Sequence, residues 1–210
     1  MGATAARCPA EHVDREVSAV SSGLVLVIVL ALVVLLVVVL LVAVVRGYNR
    51  LVRLRAQVQA SWAQVDVQLK RRHSLIPNLV ETVQGYAAHE RQTLDAVTAA
   101  RAAAVGASGG APDRVAAEGA LTQALGRLFA VAEAYPQLRA SETFAELQRE
   151  LAATEDKIAY ARQFYNSAVQ SLNTAVQTVP SSIIAGFGGF HVEPYFEAAG
   201  DERADVSVRF

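Results

Sequence analysis

An imidazole beside a carboxylate, as at His89 and Glu90, is a pairing from which general acid–base chemistry can be built. Adjacent residues on a helix point about 100° apart, however, so in the helix-like stretch around them this pair reads as part of a solvated polar face. Other routes to chemistry close on spacing. The sequence contains no GxxxxGK[ST], GxGxxG or HExxH string, and none of His12, His73, His89 and His191 completes the Glu-x-x-His pairs that a di-iron helical bundle requires. Cys8 is the only cysteine, which rules out an intrachain disulfide and a multi-cysteine metal site. MGATAAR before it lacks the apolar segment of a lipobox, so Cys8 reads as an inert thiol. The sequence thus assigns no catalytic, cofactor-binding or metal-ligating residue and no cofactor.

The plainest signal concerns location. Leu24 to Val45 reads LVLVIVLALVVLLVVVLLVAVV, twenty-two residues without a charge, a hydroxyl, Gly or Pro, and about 20 apolar residues suffice to cross the hydrocarbon core of a bilayer as a helix. A buried helix of a soluble core would keep a polar stripe. The expectation is a transmembrane helix over 24–45, preceded by a disordered tail over 1–23 in which small and charged residues mix without an apolar period. The run is too long, and begins too far from the start, for a cleaved signal peptide, so the span is expected to stay attached.

A chain of 210 residues leaves enough beyond the span for one domain with its own core, and a net charge of −1 offers no basic field for nucleic acid. Leu51, Leu54, Val58, Trp62, Val65 and Leu69 recur at steps of three and four, one face of a first helix that continues from the span past Gly47. Pro77 lacks an amide and disfavours helical geometry at Ile76, which predicts a turn there, with Lys70, Arg71 and Arg72 at a favourable helix C-terminus. A second helix from Pro77 to about Val105 carries Leu79, Val83, Tyr86, Leu94 and Val97 on one side. After the GASGGAPD link, with Asp113 as a candidate cap, Leu121, Leu125, Leu128, Val131 or Ala132, and Tyr135 mark a third, stopped by Pro136.

The fourth helix, with Ser141 as its cap, has the clearest period. Phe144, Leu147, Leu151, Thr154, Ile158, Ala161, Tyr165, Ala168, Leu172, Ala175 and Val179 alternate by three and four for five heptads, the seam of a bundle or left-handed coiled coil. Glu150, Glu155, Lys157 and Arg162 flank it as partly exposed pairing residues. In the tail from Pro180, Gly186, Gly188 and Gly189 argue against a helix. Ile183, Ile184, Phe187, Phe190, Tyr195 and Phe196 are nonetheless too apolar for an idle linker, and are expected to pack across the bundle, the alternatives being contact with a lipid surface or a partner. The fold expected is all-α: a single N-terminal transmembrane helix followed by an antiparallel four-helix bundle over 46–179 and a Gly/aromatic tail over 180–210.

The segments YNRLVRLRAQVQASWAQVDVQLKRRHSLIPNLVETVQGYAAHE and LFAVAEAYPQLRASETFAELQRELAATEDKIAYARQFYNSAV, with the Pro180 to Phe196 region ending in PYFEA, resemble the LemA family in order and spacing from Tyr48 onward. The resemblance implies a bacterial protein with an N-terminal membrane anchor and a membrane-proximal helical domain, and implies architecture far more than activity. Asn78 and Glu81, and Tyr165 with Asn166, match its motifs, which implies a border to a binding groove; turn chemistry and core packing account for the same residues. The tail before the span is longer than the family's.

Two function classes follow. One is a non-enzymatic, membrane-anchored helical scaffold that recruits a protein partner, tied to the lipid bilayer through 24–45, without nucleic acid and compatible with a homo-oligomer. The other is a small-ligand or catalytic module with a pocket between the helices. Arg46, Arg50, Arg53 and Arg55 follow the span closely while Arg7 and Arg15 precede it. The four-to-two bias predicts a single-pass plasma-membrane protein with its C-terminal domain in the cytoplasm.

Overall fold

The computed structural model describes residues 10–108 and 111–196, with side chains from 24 onward, and every element among them is a helix. The chain forms two compact units, Met1–Asn49 and Arg50–Phe210. Helix α1 is assigned from Ala10 to Tyr86 and so belongs to both.

In the first unit the backbone is helical from Ala10. Of the tail expected over 1–23, residues 1–9 lie outside the described residues. The apolar run from Leu24 to Val45 is exposed along its whole length, and it is the one stretch among the described residues long and apolar enough to cross a membrane.

In the second unit α1 runs through Pro77, where the sequence predicted a turn. Proline removes the amide that would have bonded the carbonyl of His73, four residues back. Arg101 supplies the missing donor, its Nε lying 2.7 Å from that carbonyl oxygen. The turn falls instead at Ala87–Glu90, where the Ala87 amide closes α1 on Val83 and the Glu90 carbonyl receives the amides of Thr93 and Leu94. The expected second helix is thus divided: Leu79 and Val83 are buried on α1, Leu94 and Val97 are buried on α2 (Arg91–Gly106), and Tyr86 is exposed.

Helix α3 spans Ala111–Glu133, with Asp113 inside its first turn rather than capping it. Two residues, Ala134 and Tyr135, separate it from α4 (Pro136–Arg139), a single turn to whose start proline is suited. Ser141 caps α5 (Glu142–Gln177), its hydroxyl accepting from the Phe144 amide. Phe144, Leu147, Leu151, Ile158, Tyr165 and Leu172 are buried along α5 as the heptads require. The seam ends before Val179, which lies beyond the helix and is exposed. Despite its glycines the tail contains α6 (Ser181–Gly188), closed by Gly189 in the left-handed region at φ 67, with the Phe190 amide bonding back to Ala185.

Two apolar clusters result. One joins the later part of α1 to α2, α3, α4 and the start of α5, with Phe129 and Phe144 edge to face at 6.3 Å. The other joins the earlier part of α1 to the end of α5, α6 and the tail through Leu51, Val58, Val65, Tyr165, Val169 and Phe196.

Candidate functional site

Asn166 and Asn173 stand two turns apart on the face of α5 that meets the tail. The Asn173 amide donates to the Glu193 carbonyl at 2.9 Å, and its oxygen accepts the Glu193 amide at 2.8 Å. Asn166 does the same at Phe196, with distances of 3.0 and 2.8 Å. Seven helical residues rise about 10.5 Å and three extended residues about 10 Å, so one pair of side chains matches the repeat of the other chain. Between them the Tyr165 hydroxyl donates to the Pro194 carbonyl at 3.0 Å. Burial pushes the Tyr165 phenol above its ordinary value, with the Glu193 carboxylate adding to the shift. Phe196 is delivered beside Trp62, 6.0 Å between rings, and under the Arg162 guanidinium at 4.7 Å. Trp62 in turn lies 5.2 Å from Tyr165 and has Arg114 over its ring at 5.5 Å.

Nearly three turns further along α1 from Trp62 the charges go inside. Arg72, His73 and Glu118 are all buried. Arg72 reaches Glu118 and Glu155 at 3.4 Å each and donates to the Thr122 hydroxyl at 2.8 Å, while His73 Nε2 meets the other Glu118 oxygen at 2.7 Å. Removing one partner would strand a buried charge, a loss of about 3 to 5 kcal/mol. The sequence reading put Arg72 in an exposed C-terminal basic run; because α1 does not end there, its face turns inward. The flanking acids of α5 pair across to α1 rather than along their own helix, Glu155 with Arg72 and Glu150 with Arg71 at 3.9 Å. Nearby, Asp66 is held below the ordinary carboxylate range by hydrogen bonds from Lys70 and Arg114.

Several spaces adjoin these groups, one of about 370 Å³ reaching from Arg72, Thr122 and Glu155 to Phe129 and Leu151. A cavity of about 170 Å³ touches Arg72, Glu118, Thr122 and Glu155, below the roughly 300 Å³ at which ligand pockets begin. A groove of about 620 Å³ runs between α1 (Ala63, Gln64, Val67, Gln68) and α5 (Lys157, Tyr160, Ala161, Phe164). Its walls are mostly apolar, and the buried Gln68 Oε1 on its α1 side has no hydrogen-bond partner.

Of the residues singled out in the sequence, Tyr165 and Asn166 are brought together as part of the tail clamp. Asn78 and Glu81 are exposed on α1, sixteen residues and more beyond Trp62, about 24 Å along the helix from the level of that clamp. His89 is exposed in the turn after α1, and Glu90 bonds the Tyr135 hydroxyl at 3.2 Å instead of His89. Partial burial and then Glu90 raise the Tyr135 phenol. Asn173 went unnoticed in the sequence; an amide flanking an apolar seam seven residues after another amide was the available signal. Among the described residues no group of His, Cys, Asp and Glu is placed to hold a metal ion.

A wholly helical domain that clamps its own tail, in a chain whose N-terminal part is long and apolar enough to cross a membrane, defines a class of membrane-associated helical proteins. The LemA family model matches residues 61–210, and the chain belongs to the LemA family. The magnetosome proteins MamQ 1 and MamQ 2 of Paramagnetospirillum magneticum are each 29% identical to it over 181 residues, covering 73% of this chain and 66% of theirs. Protein LemA of Metamycoplasma hominis is 24% identical over 160 residues, covering 76% of this chain and 73% of its own. The chain thus spans just under two thirds of the length of these magnetosome relatives.

Proposed function

We propose that the protein is a non-enzymatic scaffold, anchored in the membrane by the helix over 24–45, whose second unit is an antiparallel four-helix bundle that recruits another protein. The pairings between α1 and α5 support the antiparallel reading: Trp62 meets Tyr165 and Arg72 meets Glu155, so one number rises as the other falls. The groove between the same two helices carries the recruiting reading. Its residues recur at helical spacing on both walls, the pattern into which a third helix seats its side chains. Its occupant is an apolar helix face of a partner protein. The spaces beside Arg72 do not favour a ligand module, because Arg72, Glu118 and Glu155 at their walls are paired with one another.

A photo-crosslinking residue in place of Tyr160, in the full chain in native membranes, should give one dominant adduct identified by mass spectrometry. The Phe164→Glu change should remove that adduct while leaving the melting temperature nearly unchanged. An adduct indifferent to Phe164→Glu would refute the groove as the recruiting surface, and an adduct with a second copy of the chain would replace recruitment with self-association.

A further inference from the structure

Phe187 is 93 % exposed and Ile183 58 %, one turn apart on the same side of α6. Val179 before the helix is 77 % exposed and Val192 after it 53 %. Few water-facing surfaces look like this. From Gln163 to Phe190 there is no Asp, Glu, Lys, Arg or His, twenty-eight residues in a chain that is 19% charged, where about five charges would fall by proportion. Ala185 of α6 is buried and Ile184 packs against the core, while Ile183 and Phe187 are offered outward instead of holding the fold.

Where α6 sits decides what those side chains meet. Trp62 is level with Tyr165. Leu51 lies eleven residues back along α1 and Val176 eleven residues on along α5, and equal helical rise brings these two to the same end of the domain. Leu51, Ala175 and Ala185 belong to one cluster, with Val176 and Ile184 packed against it. Leu51 is also only six residues beyond Val45, the last residue of the apolar run. Even fully extended, six residues reach about 22 Å. The end of the domain that carries α6 is therefore tethered within that distance of the end of the run, and exposed Arg50, Arg53 and Arg55 stand at the same end.

We propose that α6 is a second membrane contact, its Ile183–Phe187 face inserted among the lipid headgroups and upper acyl chains beside the span. The inference rests on the reading of 24–45 as a membrane helix. An uncharged helix with an outward aromatic and an outward isoleucine is suited to lie in the interface, and the arginines beside it suit an anionic leaflet. The domain would then be held at two points instead of swinging on one tether.

Site-directed spin labels in the full chain test this. With Cys8→Ser removing the native thiol, labels go on Phe187→Cys, Val192→Cys, Val34→Cys and Tyr160→Cys, each reconstituted in vesicles of phosphatidylcholine and phosphatidylglycerol. Oxygen partitions into lipid and a nickel chelate stays in water. The Val192 label, which leaves Ile183 and Phe187 in place, and the Phe187 label should both be several-fold less accessible to nickel than the Tyr160 label, with Val34 the most protected. Nickel access at Phe187 and Val192 equal to that at Tyr160, with Val34 still protected, would overturn the α6 contact alone. An unprotected Val34 would remove the span and this inference with it. Shielding of Phe187 from both reagents with spin–spin broadening would place a second copy there and equally overturn the lipid assignment.

Discussion

Asn173 is buried at a helix face where an apolar side chain would ordinarily pack, and it is tolerated because the Glu193 backbone satisfies both ends of its amide. Asn173→Ala should cost about 1 to 3 kcal/mol, since it leaves a carbonyl and an amide of the tail without partners. Thermal melting should show the loss, and hydrogen exchange should quicken at the amides of Glu193 and Phe196. Asn166→Asp discriminates further, because a carboxylate still accepts the Phe196 amide but opposes the Phe196 carbonyl, so exchange at Phe196 should rise by less than in Asn166→Ala if acceptance dominates. Asp66 carries a different signature. Its folded-state pKa is lowered by Lys70 and Arg114, so its stabilisation is complete above the ordinary carboxylate value of about 3.9 and is lost as pH falls through the lower folded value. The melting temperature of Asp66→Asn should therefore lie below that of the parent at pH 7, and the gap should close as the solution is acidified below about pH 4. A gap that persists unchanged to pH 2 would show that the carboxylate charge is not what stabilises.

At the scale of elements, Pro77 shows where local rules stop. Ile158, Leu151 and Val65 were legible because burial repeats along one helix and periodicity records it. The continuation of α1 through Pro77 was not, because the donor that rescues the His73 carbonyl comes from Arg101, twenty-eight residues away on α2. The Arg72–Glu118 pair is separated by forty-six residues, and no spacing rule reaches that far. Once α1 was taken to end near Pro77, Arg72 was read as complementing a helix C-terminus and a distant partner was not sought. The tail clamp was half legible: the aromatics announced packing, while the two amides that fix its register carry no hydrophobic signal. A double-mutant cycle tests the account of Pro77. Arg101→Ala should cost about 1 to 3 kcal/mol in the parent, where the His73 carbonyl loses its donor. In the Pro77→Ala background the restored amide takes that carbonyl, so the cost of Arg101→Ala should shrink, with a coupling of about 0.5 to 3 kcal/mol read from chemical denaturation. Additive losses would mean that Arg101 stabilises the fold through something other than the orphaned carbonyl.

For the whole molecule, the side of the membrane on which the domain lies determines which partners the α1–α5 groove can reach. Arg46, Arg50, Arg53 and Arg55 follow the apolar run within ten residues, against Arg7 and Arg15 in the preceding segment. Positive residues next to a span are retained on the cytoplasmic side, acidic ones contribute little, and only charges within about 15 to 20 residues of the span count. By this rule the α1–α5 groove, the tail clamp and α6 are predicted to lie in the cytoplasm, with the segment before the run on the other side. The same arginines bear on the α6 contact, since the cytoplasmic leaflet is the anionic one and attracts basic residues at its surface. Orientation and the second membrane contact are therefore linked. A periplasmic reporter enzyme fused after Phe210 should be inactive, and a fluorescent protein that matures only in the cytoplasm should be bright at the same position. Substituting Arg50, Arg53 and Arg55 together by Gln should weaken this bias and raise the fraction of inverted chains. Strong activity of the periplasmic reporter in the parent would reverse the orientation and move the groove's partner to the other side of the bilayer.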